Sequence, residues 1–173
     1  MIKLRSVVFL VSLFAIVGCS STVTRPDDAD TSRPVVKALQ DFTVEMSPDA
    51  KMLLADNIKF DMHALRATLQ RTLEVNNLIA PNGDYRLKVV VNDIRVRSTF
   101  NAMMWGFMAG NDHLRGDATI LNLAGEPVYE FGASASYALG GWGGGQDSAR
   151  MDWLYEKFSE MIADELLIQK QGE

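Results

Sequence analysis

From residue 114 to residue 139 the sequence alternates about a single turn. Residues 114–123 read as one strand and Ala124-Gly125-Glu126 as a hairpin turn. Tyr129, Phe131, Ala133, Ala135, Tyr137 and Leu139 then fill one face of the next strand, with Glu130, Gly132, Ser134 and Ser136 on the other. Successive side chains on a strand point to opposite faces, so this alternation gives one apolar face that must be covered. An isolated hairpin is at best marginally stable in water. The rest of the chain must therefore supply further strands and a covering layer.

It supplies both. Residues 35–46 alternate, with Val36, Ala38, Phe42, Val44 and Met46 on one face and Gln40 as the exception. Ser47-Pro48-Asp49 is a helix-start signal, and a short helix to about Ala55 follows from it. Asp61 is placed to cap a firmer helix, with Phe60 and Leu65 as a hydrophobic staple and Met62, Leu65, Leu69 and Leu73 as its apolar stripe. Asn76-Asn77 and Pro81-Asn82-Gly83-Asp84 end it. Tyr85, Leu87, Val89 and Val91 alternate with Arg86 and Lys88. After Asn92-Asp93 the apolar positions shift to Ile94 and Val96, and this change of phase predicts a bulge. Met151, Leu154, Tyr155, Phe158, Met161, Ile162 and Leu166 form a final helical stripe. The expected order is βαβββα. The fold class is α+β: a two-layer sandwich with a mixed sheet of about four strands and two main helices on one face.

The first twenty residues carry different information. Lys3 and Arg5 precede an apolar run from Val7 to Val17, which is broken only by Ser12. That run is too short to span a bilayer as a helix, which takes about twenty residues. A basic start followed by a short apolar run is the pattern of a secretory signal. It ends at Ile16-Val17-Gly18-Cys19, and Cys19 is the only cysteine of the chain. A disulfide within the chain is thereby excluded. This quartet resembles the lipobox of bacterial lipoproteins. The resemblance implies removal of residues 1–18, a diacylglycerol (palmitate-type acyl chains) on the Cys19 sulfur, and often a third chain on the new amino terminus. Two or more chains anchor a protein stably to a membrane that it does not cross. Ser20 follows the cysteine, and by the sorting habit of such lipoproteins this points to the outer membrane, facing the periplasm.

Without residues 1–18 the balance is 15 Lys and Arg against 22 Asp and Glu, about −7. An acidic chain of this kind is a poor partner for nucleic acid, and none is expected. Residues 19–34 are rich in Ser, Thr, Asp and Pro and read as the lipidated cysteine and a flexible tether. Residues 35–173 read as one periplasm-facing domain, which is large enough for a core without disulfides.

The lipobox, the Gly116-Asp-Ala-Thr-Ile-Leu-Asn122 strand, the Ala-Gly-Glu hairpin and the terminal amphipathic helix together resemble a family of small bacterial envelope lipoproteins with a domain of uncharacterised function. The architecture is also similar to lipoproteins that serve as assembly factors or accessory subunits of secretion and cell-wall machines. That second resemblance is one of architecture, and a fold does not by itself assign a function.

Two stretches stand out as a candidate surface. Asn101–Gly110 is uncharged and holds Met103, Met104, Trp105, Phe107 and Met108; Gly140–Gly145 holds Trp142. Met and aromatic residues suit adaptable contacts. With alternating strand directions both stretches fall at one end of the sheet and the tether at the other. The apolar end is then expected to point away from the membrane. The bland alternative is that these side chains fold inward over the core.

His63 and His113 are the only histidines, too few ligands for a zinc site, and no metal or cofactor is expected. A Ser134–His113–Asp triad lacks the Gly-x-Ser-x-Gly elbow. The Gly-rich 140–145 stretch lacks the Lys-Ser/Thr of a phosphate loop. The expectation is a non-enzymatic, membrane-anchored envelope lipoprotein that binds an envelope protein or another copy of itself. The alternatives are a module for a small apolar or glycan ligand and, more remotely, a hydrolase.

Overall fold

A computed structural model describes residues 20–26, 34–57, 59–97, 110–138 and 147–168. The elements run β1 (Ser20–Thr24), β2 (Leu39–Met46), α1 (Pro48–Leu53), α2 (Met62–Val75), β3 (Tyr85–Arg95), β4 (Asp112–Asn122), β5 (Pro127–Tyr137) and α3 (Asp147–Ile168). The five strands form one mixed sheet in the order β1-β5-β4-β3-β2. Strands β2 and β3 are parallel and joined through α1 and α2; all other neighbours are antiparallel.

The local signals act as the sequence suggests. Ser47 accepts a hydrogen bond from the Ala50 N–H and caps α1, with Pro48 in its first turn. Asp61 accepts from the N–H groups of His63 and Ala64 at the start of α2. That helix ends in a Schellman turn: Asn77 has φ 53°, its N–H reaches the Glu74 carbonyl, and the Leu78 N–H reaches Leu73. Such a left-handed residue satisfies carbonyls that a helix end leaves open. The hairpin closes at Gly125, whose φ of 88° suits a residue without Cβ. The register slips between Val91 and Asp93, where the change of apolar phase predicts a bulge. A second slip lies between Leu39 and Asp41. It accounts for Gln40, the residue out of pattern.

The core lies between the sheet and the helices. Leu65, Leu69 and Leu73 of α2 and Leu154, Phe158, Ile162 and Leu166 of α3 are buried with Leu87, Val89, Ile120, Phe131 and Ala135 of the sheet. Gly116 sets how closely α3 approaches β4. A Cβ there would fall 2.5 Å from the Val90 oxygen and 3.1 Å from the Phe158 ring. The other sheet face is polar, with cross-strand pairs Lys88–Glu45 (3.2 Å), Asn92–Asp117 (2.6 Å) and His113–Asp93 (2.9 Å).

One expectation is corrected. Residues 20–24, read as part of a flexible tether, form the edge strand β1 and pair with β5 from Ser20↔Ser136 to Thr24↔Gly132. Immediately beyond it, the Arg25 guanidinium makes a two-point bond to the buried Glu165 carboxylate, at 2.9 and 2.6 Å, and the Tyr129 hydroxyl donates to the same group. The hydrogen bond to Glu165 holds the Arg25 pKa above its ordinary value. The strand was hidden because Ser-Ser-Thr-Val-Thr buries little, and an edge strand needs only backbone pairing.

At the start of α2, the Tyr155 hydroxyl accepts the Asp61 N–H at 2.7 Å, and the Tyr155 ring meets Phe60 edge-on at 5.7 Å. Burial pushes the Tyr155 pKa up to about 12, against the opposing pull of that hydrogen bond. The raised pKa favours the protonated, folded form, so this group's contribution is complete below pH ~10 and is lost as pH rises through about 12. Tyr155→Phe is expected to cost about 1–2 kcal/mol at neutral pH by orphaning the Asp61 N–H. In urea unfolding the gap between the two proteins should narrow from pH ~10 to ~12; a gap unchanged to pH ~12 would refute this assignment.

Candidate functional site

Strands β2, β3 and β5 finish at one end of the sheet, here called the upper end, where β4 begins. The 98–109 connection leaves β3 there and returns at Gly110, and the 139–146 connection leaves β5 there and returns at α3. The bases of both are tied by one buried cluster. Asp112, fully buried, accepts at Oδ1 from the backbone N–H of Arg97 (2.6 Å) and from its Nε (3.2 Å). At Oδ2 it accepts from Arg97 Nη2 and Arg150 Nη1, both at 3.1 Å. Arg97 Nη2 also donates to the Tyr137 carbonyl at 3.3 Å, and Arg150 Nη2 to the Arg97 carbonyl at 3.2 Å.

Arg97 and Asp112 flank the first connection, and Tyr137 and Arg150 flank the second. Arg97 and Arg150 are thus held directly to the Asp112 carboxylate, and the Tyr137 carbonyl is held through Arg97. A buried charge is tolerable only when it is paired and hydrogen-bonded, and Asp112 meets two guanidinium groups and a backbone amide. Beside the cluster, Tyr137 stacks edge-on against Trp153 with ring centres 5.3 Å apart. Asn57 joins α1 to the same end: it accepts the Val96 N–H at 2.6 Å and donates to the Ile94 carbonyl.

Met103, Met104, Trp105, Phe107, Met108 and Trp142 lie outside the described residues, as does Cys19. What the structure does place is their attachment, and both stretches spring from the upper end as the strand directions predict. The point where the described chain enters the sheet differs from expectation. Ser20 pairs with Ser136, so β1 begins at the upper end too.

The remaining candidates separate. His63 is exposed on the first turn of α2. His113 Nε2 sits 2.9 Å from Asp93, whose carboxylate also lies 3.4 Å from Arg115. Ser136 is the cross-strand neighbour of His113, while Ser134 stands opposite Arg115. Among the described residues, no group of three His, Cys, Asp or Glu side chains is placed to hold a metal, and no helix is long and apolar enough to cross a membrane. A shallow groove of about 390 Å³ lies on the polar sheet face between Thr24, Asn92, Arg115, Asp117 and Ser134. The buried cluster was missed in the sequence because isolated Arg and Asp beside loops look like solvated residues. The available signal was that Arg97 and Asp112 bracket the first uncharged connection and that Asp147 and Arg150 follow the second.

Residues 27–141 match the model of a domain of unknown function, DUF4410, and the chain belongs to that family. No curated protein sequence matches it. Among solved structures it is similar to the PelC dodecamer from Paraburkholderia phytofirmans, at 17% identity and TM-score 0.40 over 80% of this chain and 95% of that one. It is also similar to a Xanthomonas campestris protein of the DUF330 family, at 17% identity and TM-score 0.40 over 86% of this chain and 92% of that one. A minor lipoprotein from Acinetobacter baumannii matches at 12% identity and TM-score 0.34, over 78% of this chain and 90% of that one.

Removing one partner of a buried, hydrogen-bonded charge cluster costs about 3–5 kcal/mol, because the others stay buried without it. Asp112→Asn should therefore lower the unfolding free energy by about that amount, while Asp93→Asn, on the polar face, should cost under about 1 kcal/mol. Equal losses in urea unfolding would show that the cluster does not hold the upper end together.

Proposed function

We propose that this protein is a non-enzymatic, lipid-anchored lipoprotein of the bacterial envelope, held in the outer membrane and facing the periplasm, that works by binding a protein partner or another copy of itself. The contact residues in this reading are Met103, Met104, Trp105, Phe107, Met108 and Trp142. Its principal support is the buried Arg97–Asp112–Arg150 cluster, which fixes the bases of both Trp-bearing stretches at one end of the sheet. Binding surfaces carried on connections between rigid elements need such a base, since a loose one pays ordering entropy on contact. The lipid anchor rests on Ile16-Val17-Gly18-Cys19 and the basic and apolar residues before it.

Two measurements test it. Cys19→Ala protein should leave the membrane fraction after salt and carbonate washes; retention would mean another anchor. A photocrosslinking residue at position 105 should capture a discrete protein adduct in cells, and one at exposed Asn82, at the opposite end, should not. Trp105→Ala and Phe107→Ala should abolish that adduct with the thermal midpoint nearly unchanged. A core role would instead cost about 3–5 kcal/mol for each truncation.

A further inference from the structure

The direction of β1 fixes where a lipid on Cys19 would emerge. Cys19 is peptide-bonded to Ser20, and consecutive Cα atoms stand about 3.8 Å apart. Ser20 pairs with Ser136, one residue from the end of β5, and β1 then runs down the sheet edge to Thr24. An unpaired stretch of about fifteen residues would let the domain drift up to roughly 50 Å from its anchor. Here that freedom is removed by five residues of pairing and by the two-point Arg25–Glu165 bond.

We propose that the upper end of the sheet lies against the bilayer that holds the Cys19 lipid, with the long axis of the strands steep to the membrane. This rests on the lipoprotein reading above and reverses the orientation expected from the sequence alone. The surface involved is the end formed by Ser20, Asn111, the start of α3 and the short helix α1. Met52 on α1 is 71% exposed at that same end, an apolar side chain suited to the headgroup boundary. Charge does not drive the contact, because exposed Lys51, Lys59 and Arg95 are outnumbered there by exposed Asp49, Asp56, Asp61 and Asp152. The orientation is set by the covalent anchor and the docked strand, so it should hold on zwitterionic lipid. A protein partner that engages residues 103–108 or 142 is then met at the membrane surface.

The experiment uses the full lipidated protein in phosphatidylcholine vesicles that carry a headgroup-depth spin-labelled lipid as quencher. A fluorophore is placed on a single introduced cysteine, at Asn111→Cys in one protein and at Ala124→Cys, in the far hairpin, in another. β4 separates these positions by about 35 Å, so quenching at 111 should exceed that at 124 by about fivefold. Thr22→Pro with Val23→Pro should remove the difference while the circular dichroism of the domain persists. Successive N–H groups of a strand point to opposite sides, so one of the two prolines always deletes a bond to β5. Intact mass reports the acyl chains. Acylated protein with equal quenching at both sites, or stronger quenching at 124, overturns the orientation alone. A difference that survives the double proline overturns the role of β1. Cys19 without acyl mass overturns the lipoprotein reading, and the orientation with it.

Discussion

The Asp112 carboxylate holds the upper end of this domain. It sits on the first residue of β4 and bonds the last turn of backbone after β3, while the arginines it receives come from β3's exit and from the start of α3. Without it, three charged or polar chain ends would converge in a space closed to water, and each would need another partner. Such a cluster contributes little net stability compared with a well-packed apolar replacement. Its value is geometric. Directional bonds to one carboxylate specify where Arg97 and Arg150 sit, and through Arg97 the Tyr137 carbonyl, which apolar packing alone specifies less tightly.

The layer beneath depends on close approach. Leu154, Phe158 and Ile162 of α3 share the core with β4 and β5, where the small residues Gly116, Ala118, Ala133 and Ala135 alternate with the larger Leu114 and Phe131, and the Phe158 ring comes closest at Gly116. Small residues in the sheet let the bulky face of the helix settle between them, so large and small positions complement each other across the interface. The longest helix thus lies along the strands that lead to the upper end, and Arg150, one turn into that helix, is delivered to Asp112.

The two-layer architecture was legible in the sequence wherever burial imposes a period. Leu65, Leu69 and Leu73 mark a helix face, Tyr129 to Ala135 a strand face, and the shift at Asn92-Asp93 a bulge. Each pattern exists because one face meets the core and the other meets water. Legibility failed where backbone pairing or charge did the work. Ser20–Thr24 joins the sheet through its main chain, and only Val23 adds apolar contact to the core. Arg97, Asp112 and Arg150 are buried, yet each taken alone has the composition of surface. The partners that make their burial possible lie up to 53 residues apart, and no local window joins them.

Docking β1 also changes what the polar segment after it is for. Strands β1 and β2 are the opposite edges of a five-stranded sheet, so the chain between Thr24 and Leu39 joins one edge to the other. Four inter-strand spacings amount to about 19 Å, well within the reach of that many residues. Its Ser, Thr, Asp and Pro content therefore suits a connection across the sheet, rather than the flexible tether that the sequence suggests. Val36, fully buried within it, shows that the crossing is seated on the core before β2 begins. A spacer would leave Ser20–Thr24 free of the sheet. A crossing leaves β1 as part of the sheet, and Ser20 takes its place there from the pairing with Ser136. The direction in which the chain enters the sheet at Ser20 is in this way a consequence of strand order, set by the same backbone pairing that closes the fold.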